Sequence, residues 1–536
     1  MKKFLSLLLV TLPIIPTMAQ ETANNGAVTQ KTWYGQELFL DNIRFGANNP
    51  ASTAFNPYSV INSVELGYYD SKGSFRAIDG ASEDNQYNMS VYGAKKISKV
   101  SFEGKIDYFI NDMADSRWNN TALISEHNPF IIADSLYYLR KDGSDSIPNN
   151  QNREIFNLTG TVTYQLSDKL LFGIKANYKV ANKSDQSDPR FLTNAARITI
   201  TPGMEFKTGL KHTIGFSANL EGFHEHVSAT VEDNIYPEHT SMFLFTELGG
   251  LQTQTESGYT RWYNGKKIGG DLSSVFTGSS FSNFAEAGGY FNFEEALDGG
   301  SSYTKHGGDY KEFEFHATDR MQFGNGSLLH NVILKADMIM GSGKTFKHTT
   351  TFDKLGNTIY EVASGSVTHK ESNIQADLTY RLDLMKENFS TFTAQVNGGI
   401  NMVSINQYPD EYYAKYTMAN AGFSVSKRWK ENKFRYSVNA SGNYVMPLSE
   451  LDIFLPNATA VNKKFGRGYF RPKYEFFAAE HCNAGISADV SYPIIGRNGS
   501  TYWIKGAVEY NLDKYLGEYY RFDDRQSIAA NLSLTF

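Results

Sequence analysis

Cysteine is nearly absent: Cys482 stands alone in 536 residues, so no disulfide framework holds this chain together. Past residue 19 there is no uninterrupted apolar run of about 20 residues, the length a membrane-spanning helix requires. The mean hydropathy is -0.41. There is no surplus of positive charge either. The formal net charge is -6, and losing Lys2 and Lys3 with a cleaved leader takes it to -8, which argues against a nucleic-acid partner. Neither a Gly-x-Ser-x-Gly elbow nor a His-Glu-x-x-His helix occurs, so the common hydrolase signatures are missing and no enzyme is expected. The 11 histidines are scattered. No cofactor-binding motif is present. Gly341-Ser342-Gly343-Lys344 lacks the upstream glycine spacing of a phosphate loop.

Aromatic residues are abundant instead, with 33 Tyr and 37 Phe. Residues 1–19 read as a secretory signal peptide. Lys2 and Lys3 precede the apolar stretch Phe4 to Ile15, and Thr17 and Ala19 are small residues at the cleavage positions. An exported chain without apolar helices can still cross a lipid bilayer as a closed barrel, because each strand presents only every second residue to lipid. The final segment has that pattern. Ile528, Ala530, Leu532, Leu534 and Phe536 share one face of a strand, and Ala529, Asn531, Ser533 and Thr535 the other. On Leu532, Leu534 and Phe536 the segment resembles the C-terminal assembly signal of bacterial outer-membrane proteins. That resemblance implies the cell outer membrane as location, and its lipid and barrel assembly machinery as partners.

Residues 20–57 are expected to be a periplasmic leader or short plug, and 58–536 the barrel. Around Asn49-Pro50-Ala51 the leader resembles the Asn-Pro-Ala element of FadL-type fatty-acid channels. Alternating strands follow, beginning at Val60 to Tyr69, Tyr87 to Lys95 and Val100 to Phe109. Short turns such as Ser167-Asp168-Lys169 alternate with long polar stretches such as Asn111 to Arg153, read as an external loop. Phe223 to Asp309 has broken alternation and reads as a large external loop, with a hidden spanning hairpin as the competitor. Phe470 to Tyr492 keeps one parity and reads as a single long strand. The fold expected is all-β: a transmembrane antiparallel up-and-down barrel of about 16 strands (14–18), with short periplasmic turns and long extracellular loops.

The inward parity carries the candidate functional residues: Glu103, Lys105, Asp107, Lys175, Arg320, Lys335, Asp337, Arg435, Asp489, Lys505 and Glu509. Opposed charges across a lumen favour polar or zwitterionic solutes. The alternative is that they satisfy one another, but an interior of this size is too wide for side chains alone to fill, so water or a plug must occupy it. His224 and His226 share a strand face and are the best local candidates for a metal, with no third ligand nearby. These features point to a channel for passive or facilitated uptake of small solutes of unknown identity. The alternatives are a FadL-like transporter of hydrophobic molecules or a surface-exposed binding barrel. Too few residues precede the first strand for the globular plug of a TonB-driven receptor.

Overall fold

The computed structural model describes residues 43–44, 46–56, 59–116, 119–134, 150–185, 190–230, 242–247, 250–254, 258–299, 305–386, 389–409, 411–455, 466–496, 500–517 and 523–536. The expected signal peptide and the leader as far as residue 42 lie outside them.

Strand follows strand around a closed antiparallel ring. The first nine are β1 (Val60–Gly73), β2 (Glu83–Ile97), β3 (Val100–Ala114), β4 (Gln151–Gln165), β5 (Leu170–Asp185), β6 (Arg190–Lys207), β7 (His212–Thr230), β8 (Gly258–Thr277) and β9 (Phe281–Asp298). The rest are β10 (Lys305–Asn325), β11 (Leu328–Phe352), β12 (Thr358–Lys386), β13 (Phe389–Gln407), β14 (Tyr412–Glu431), β15 (Phe434–Pro447), β16 (His481–Ile495), β17 (Thr501–Tyr515) and β18 (Asp524–Thr535). The sheet has 19 strands among the described residues; one is the flap Asp452–Phe454, paired only with β14, which leaves eighteen in the ring. β1 and β18 pair from Ser63↔Thr535 to Gly73↔Arg525. Asn62 and Phe536 then exchange backbone hydrogen bonds of 2.8 and 2.9 Å, so the last residue helps to shut the ring.

Alternation sets which side chains face out. Along β5, Phe172, Ile174 and Tyr178 are exposed on the outer surface, while Gly173, Lys175 and Asn177 point inward. At the end bearing the shortest turns, aromatic rings form an outer belt. Phe276 lies 6.1 Å from Phe281, Phe323 stacks on His330 at 5.0 Å, Trp429 on Tyr436 at 5.5 Å, and Tyr502 lies 5.8 Å from Phe536. Two-residue turns there place Ser98 and Asn432 at φ of 53° and 55°, which suits the twist of a tight hairpin.

The strand count corrects the expected figure of about 16. Phe223 to Asp309 is not one external loop. β7 continues to Thr230, and β8 and β9 form a further hairpin in register from Arg261↔Asp298 to Thr277↔Ser282. Its alternation was obscured because Asn264 and Lys266 lie on the outer face of β8, beside Trp262 and Ile268. Phe470 to Tyr492 is likewise not one strand. Gly466–Phe470 and Arg471–Phe477 are helical, and β16 begins only at His481. Pro472 sits in the first helical turn, where its missing N–H costs nothing. Burial of Tyr469, Phe470 and Tyr474 against Ala414, Tyr416 and Met418 holds the helix over the barrel mouth.

Candidate functional site

An eighteen-strand ring encloses a space that wall side chains cannot fill. Two segments enter it, one from each end.

From the short-turn end comes residues 43–56. Pro50–Phe55 forms a short 3-10 helix inside the ring, and the Asn49 side chain caps it by accepting from Ala51 N at 3.0 Å. The same amide donates to the carbonyls of Met204 (2.8 Å) and Phe216 (3.1 Å), which fastens the turn to β6 and β7. The seat is made of glycine. A Cβ at Gly173 would meet Ala51 N at 2.6 Å, and one at Gly203 would meet Pro50 Cδ at 2.7 Å. Arg44 adds an ion pair with Glu205 (3.5 Å), both buried, a bond to Thr213 Oγ1 (3.2 Å), and a stack on Phe55 at 3.8 Å. Ser52 donates to Glu205 as well.

Above this seat, Asn48 meets a cluster on β8–β10. Its backbone N–H donates to Glu286 (3.2 Å), and its amide lies 3.2 Å from both Asp271 Oδ1 and His316 Nε2. His316 and Asp271 pair at 2.9 Å, and Tyr290 donates to Asp271 at 2.7 Å. Asp271, Glu286 and His316 offer ligand atoms within 4.8 Å of one another, as do Glu295, His306 and Asp309 on the rim. These are the two clusters among the described residues able to hold a metal by spacing. His224 and His226 are not in either. They sit on the outer face of β7, where His226 stacks on Trp262 at 3.7 Å and His224 bonds to Asn264 at 2.7 Å.

From the other end comes residues 119–131. Asn111 to Arg153, expected as an external loop, turns back into the ring here. Glu225 accepts from three successive backbone N–H groups, those of Ala122 (2.5 Å), Leu123 (2.8 Å) and Ile124 (3.0 Å). Glu294 accepts from Ser125 N (3.1 Å) and Asn128 Nδ2 (2.8 Å), and Glu312 from the Ser125 hydroxyl (2.9 Å). Phe130 is fully buried among Tyr263, Tyr310, Phe223 and Val227. Its carbonyl accepts from Arg261 (3.1 Å) and Tyr263 (2.6 Å), and Arg261 is held by buried Asp298.

His127 pairs with Glu371 of β12 at 2.5 Å. Burial works to lower the His127 pKa. The hydrogen bond and charge of Glu371, with Glu312 and Glu126 behind it, reverse this, so the imidazolium persists above its ordinary 6.5. A raised folded-state pKa contributes stability that is fully present below 6.5 and lost as pH rises through the raised value. The docked loop is therefore expected to become more protease-sensitive on going from about pH 6 to about pH 9. His127→Ala should abolish that dependence; a loop equally protected at both pH values in the parent protein would refute it.

The sequence-derived candidates fall at separate places on the wall. Glu103 and Lys175 line a cavity of about 290 Å³ beside Asn49 and Ser52. Lys105 pairs with Asp107 at 2.9 Å, and Lys505 with Asp489 at 3.6 Å. Arg435 lies over Trp503 at 3.7 Å and Arg320 over Phe284 at 5.5 Å. Glu509 accepts from Asn511 at 2.7 Å. Lys335 stands in register with Thr318 and Asp377, and Asp337 with His316 and Gln375. They do not converge on one centre. The groups that do converge, Glu225, Glu294, Glu312, Arg261 and Asp298, were missed. All but Glu312 lie in the stretch read as loop. A second cavity, about 650 Å³, lies between residues 119–129 and the helix over the mouth; Lys183, Lys473, Glu371, Tyr416 and Tyr474 are among its lining.

A closed ring with an apolar outer face, an aromatic belt and a polar interior defines a transmembrane β-barrel of the outer-membrane type. Within that class the chain belongs to the Family of unknown function (DUF6850), whose model matches residues 50–536. No curated protein matches it in sequence. Among solved structures it is similar to the outer membrane transporter YddB from Escherichia coli, at 9% identity and a TM-score of 0.38, over 88% of this chain and 81% of that one. It is also similar to BauA, the ferric preacinetobactin receptor from Acinetobacter baumannii, at 7% identity and a TM-score of 0.41, over 89% and 80%. A FadL homologue from Pseudomonas aeruginosa matches at 10% identity and a TM-score of 0.32, over 91% and 92%.

Proposed function

We propose that the protein is an outer-membrane channel for small polar solutes, narrowed by two segments that enter the lumen from opposite ends. One observation carries this reading. The hydrogen bonds and ion pairs of residues 43–56 and 119–131 fall, among the described residues, on β2–β12, so both segments narrow a ring too wide to be filled and leave the arc from β13 round to β1 without such bonds. No catalytic chemistry is part of the proposal. Solute passes down the gradient, and the barrel's partners are bilayer lipid and the machinery that assembles such barrels.

A FadL-like conduit for hydrophobic molecules would need an apolar chamber beside the leader. The cavity there is lined by Arg44, Asn48, Ser52, Thr53, Glu103 and Lys175, which favours a polar solute. A barrel that only displays surface loops for binding would have no use for the anchored leader.

The full chain reconstituted in planar bilayers should carry a stable ion current, and should shift on gels when heated. A heat-modifiable barrel that carries no current, yet captures a ligand on cells, would sink the channel reading.

A further inference from the structure

The wall that the two segments leave uncovered, beneath the helix packed on Ala414, Tyr416 and Met418, has a chemistry of its own. At the inward positions 393–401 of β13, 420–426 of β14, 437–443 of β15 and 483–487 of β16, every residue is Asn, Gln, Ser, Thr or Gly. The outward neighbours Val396, Phe423, Val438 and Ile486 are exposed apolar groups, which fixes the parity. None of these residues carries a formal charge, and the patch crosses four adjacent strands; at its β12 margin the Asp377 carboxylate lies beside Gly399.

The amides are laid flat in a repeated arrangement. Gly422 stands in register between Asn397 of β13 and Asn443 of β15, and a Cβ on it would meet the Oδ1 of each at 2.8 Å. Gly399 lies in register between Asp377 and Asn420, with the Asn420 Oδ1 at 3.0 Å from a Cβ there. Gly485 lies between Ser441 and Asn511, and Gly67 across the seam between Asn88 and Asn531. Each glycine lets flanking side chains fold across it rather than stand into the lumen. The result is a thin, smooth surface of amides and hydroxyls.

Many of the charged groups are engaged elsewhere. Glu225, Glu294 and Glu312 hold the entering loop, Glu205 and Asp271 are engaged with the leader, and Arg261 is engaged by Asp298. Nearer the short-turn end, Arg381 is taken by Asp383 at 2.7 Å and Lys505 by Asp489 at 3.6 Å. Along these positions the wall itself carries no charge, and inward carboxylates such as Asp377 of β12 and Glu509 of β17 stand at its margins. Amides and hydroxyls are donors and acceptors at once, and match a solute that presents many hydroxyls. At the mouth the larger cavity joins the rings of Tyr416, Tyr474 and Phe477 to the charged Lys183, Lys473 and Glu371.

We infer that the conduit runs along β13–β16 and takes neutral polyhydroxylated solutes, of the oligosaccharide class, in preference to ions and zwitterions. This rests on the channel reading and goes beyond it. The test uses the full chain in liposomes, with swelling measured in raffinose, in sodium gluconate and in a lysine salt, and ion current recorded separately. Raffinose should enter several-fold faster than either charged solute. Maltohexaose should produce transient blockades of the current. The double variant Asn397→Asp and Asn443→Asp should keep the heat-modifiable shift and lose the preference, with lysine now favoured. Should that variant fail to fold, Ser424→Asp with Ser441→Asp makes the same change without touching the amides over Gly422. Equal entry of raffinose and the charged solutes, or a preference unmoved by the aspartates, overturns the inference while a normal current leaves the channel intact. No current and no swelling in any solute overturns both.

Discussion

Removing residues 20–57 is expected to raise the conductance of the reconstituted barrel several-fold. The described part of this leader, residues 43–56, is bound to wall groups that belong to other elements of the ring. Glu205, Thr213, Met204 and Phe216 are on β6 and β7, and Asp271 and Glu286 on β8 and β9. Ring closure runs through β1 and β18, from residue 62 onward, and does not use the leader. The truncated chain therefore keeps its strands and loses an obstruction. The glycine seat at Gly173 and Gly203 then faces water, at little cost to the wall, because neither residue has a side chain to strand. Single-channel recording of the truncated and parent proteins measures the effect. Equal conductance, with the heat-modifiable shift retained, would show that the leader does not narrow the pore.

The second large effect belongs to one buried carboxylate. Glu225→Ala leaves the N–H groups of Ala122, Leu123 and Ile124 without their acceptor. A hydrogen bond to a charged group contributes about 1.5–3 kcal/mol, and three stranded donors in a largely dry environment cost more than one. The loop also depends on the burial of Phe130, roughly 1.5–3 kcal/mol for such a side chain. Losing Glu225 thus removes a comparable or larger share of what docks the loop. The expected outcome is cleavage within 119–131 by external protease in the variant, with the parent protected and the barrel intact. Current through the variant should be larger and noisier. Glu225→Gln, which keeps one acceptor oxygen, should fall between the two. A variant loop as protected as the parent's would show that Glu225 does not hold it.

Much of the ring could be read from residues, and the reasons differ by segment. β5 and β6 alternate cleanly because both of their faces meet a uniform medium, apolar outside and polar inside. β8 does not, since Asn264 and Lys266 put polar groups on its outer face and Gly269 and Gly270 interrupt it, so the sequence offers this hairpin only as the alternative to a loop. The helix Arg471–Phe477 carried a strand's parity by coincidence. Tyr469, Phe470 and Tyr474 have strong tertiary reasons to be buried that no local pattern reports. The inward turn of 119–131 left a trace in Ala122-Leu123-Ile124 and Pro129-Phe130-Ile131, apolar runs within a polar stretch. Inward parity could be assigned to Glu103 or Lys505 one by one. Which carboxylates meet which loop could not, because Glu225, Glu294, Glu312 and Glu371 converge only once four distant strands are in register. The glycine tiles depend likewise on cross-strand partners that register alone supplies.

The bond between Asn62 and Phe536 has a consequence for how such a molecule is made. Each hairpin in the ring joins neighbours in sequence and can form soon after its turn is synthesised. The seam alone joins the two ends of a barrel about five hundred residues around, and such long-range pairing is the slowest to form. Until it forms, the nascent sheet carries two bare margins, β1 and β18, each a row of unpaired backbone groups open to any passing strand. The seam also brings together the last of the Asn–Gly–Asn tiles, at Gly67. A chaperone that shelters the β18 margin until β1 reaches it would protect the cell from adhesive intermediates and would finish the lining of the lumen in the same step.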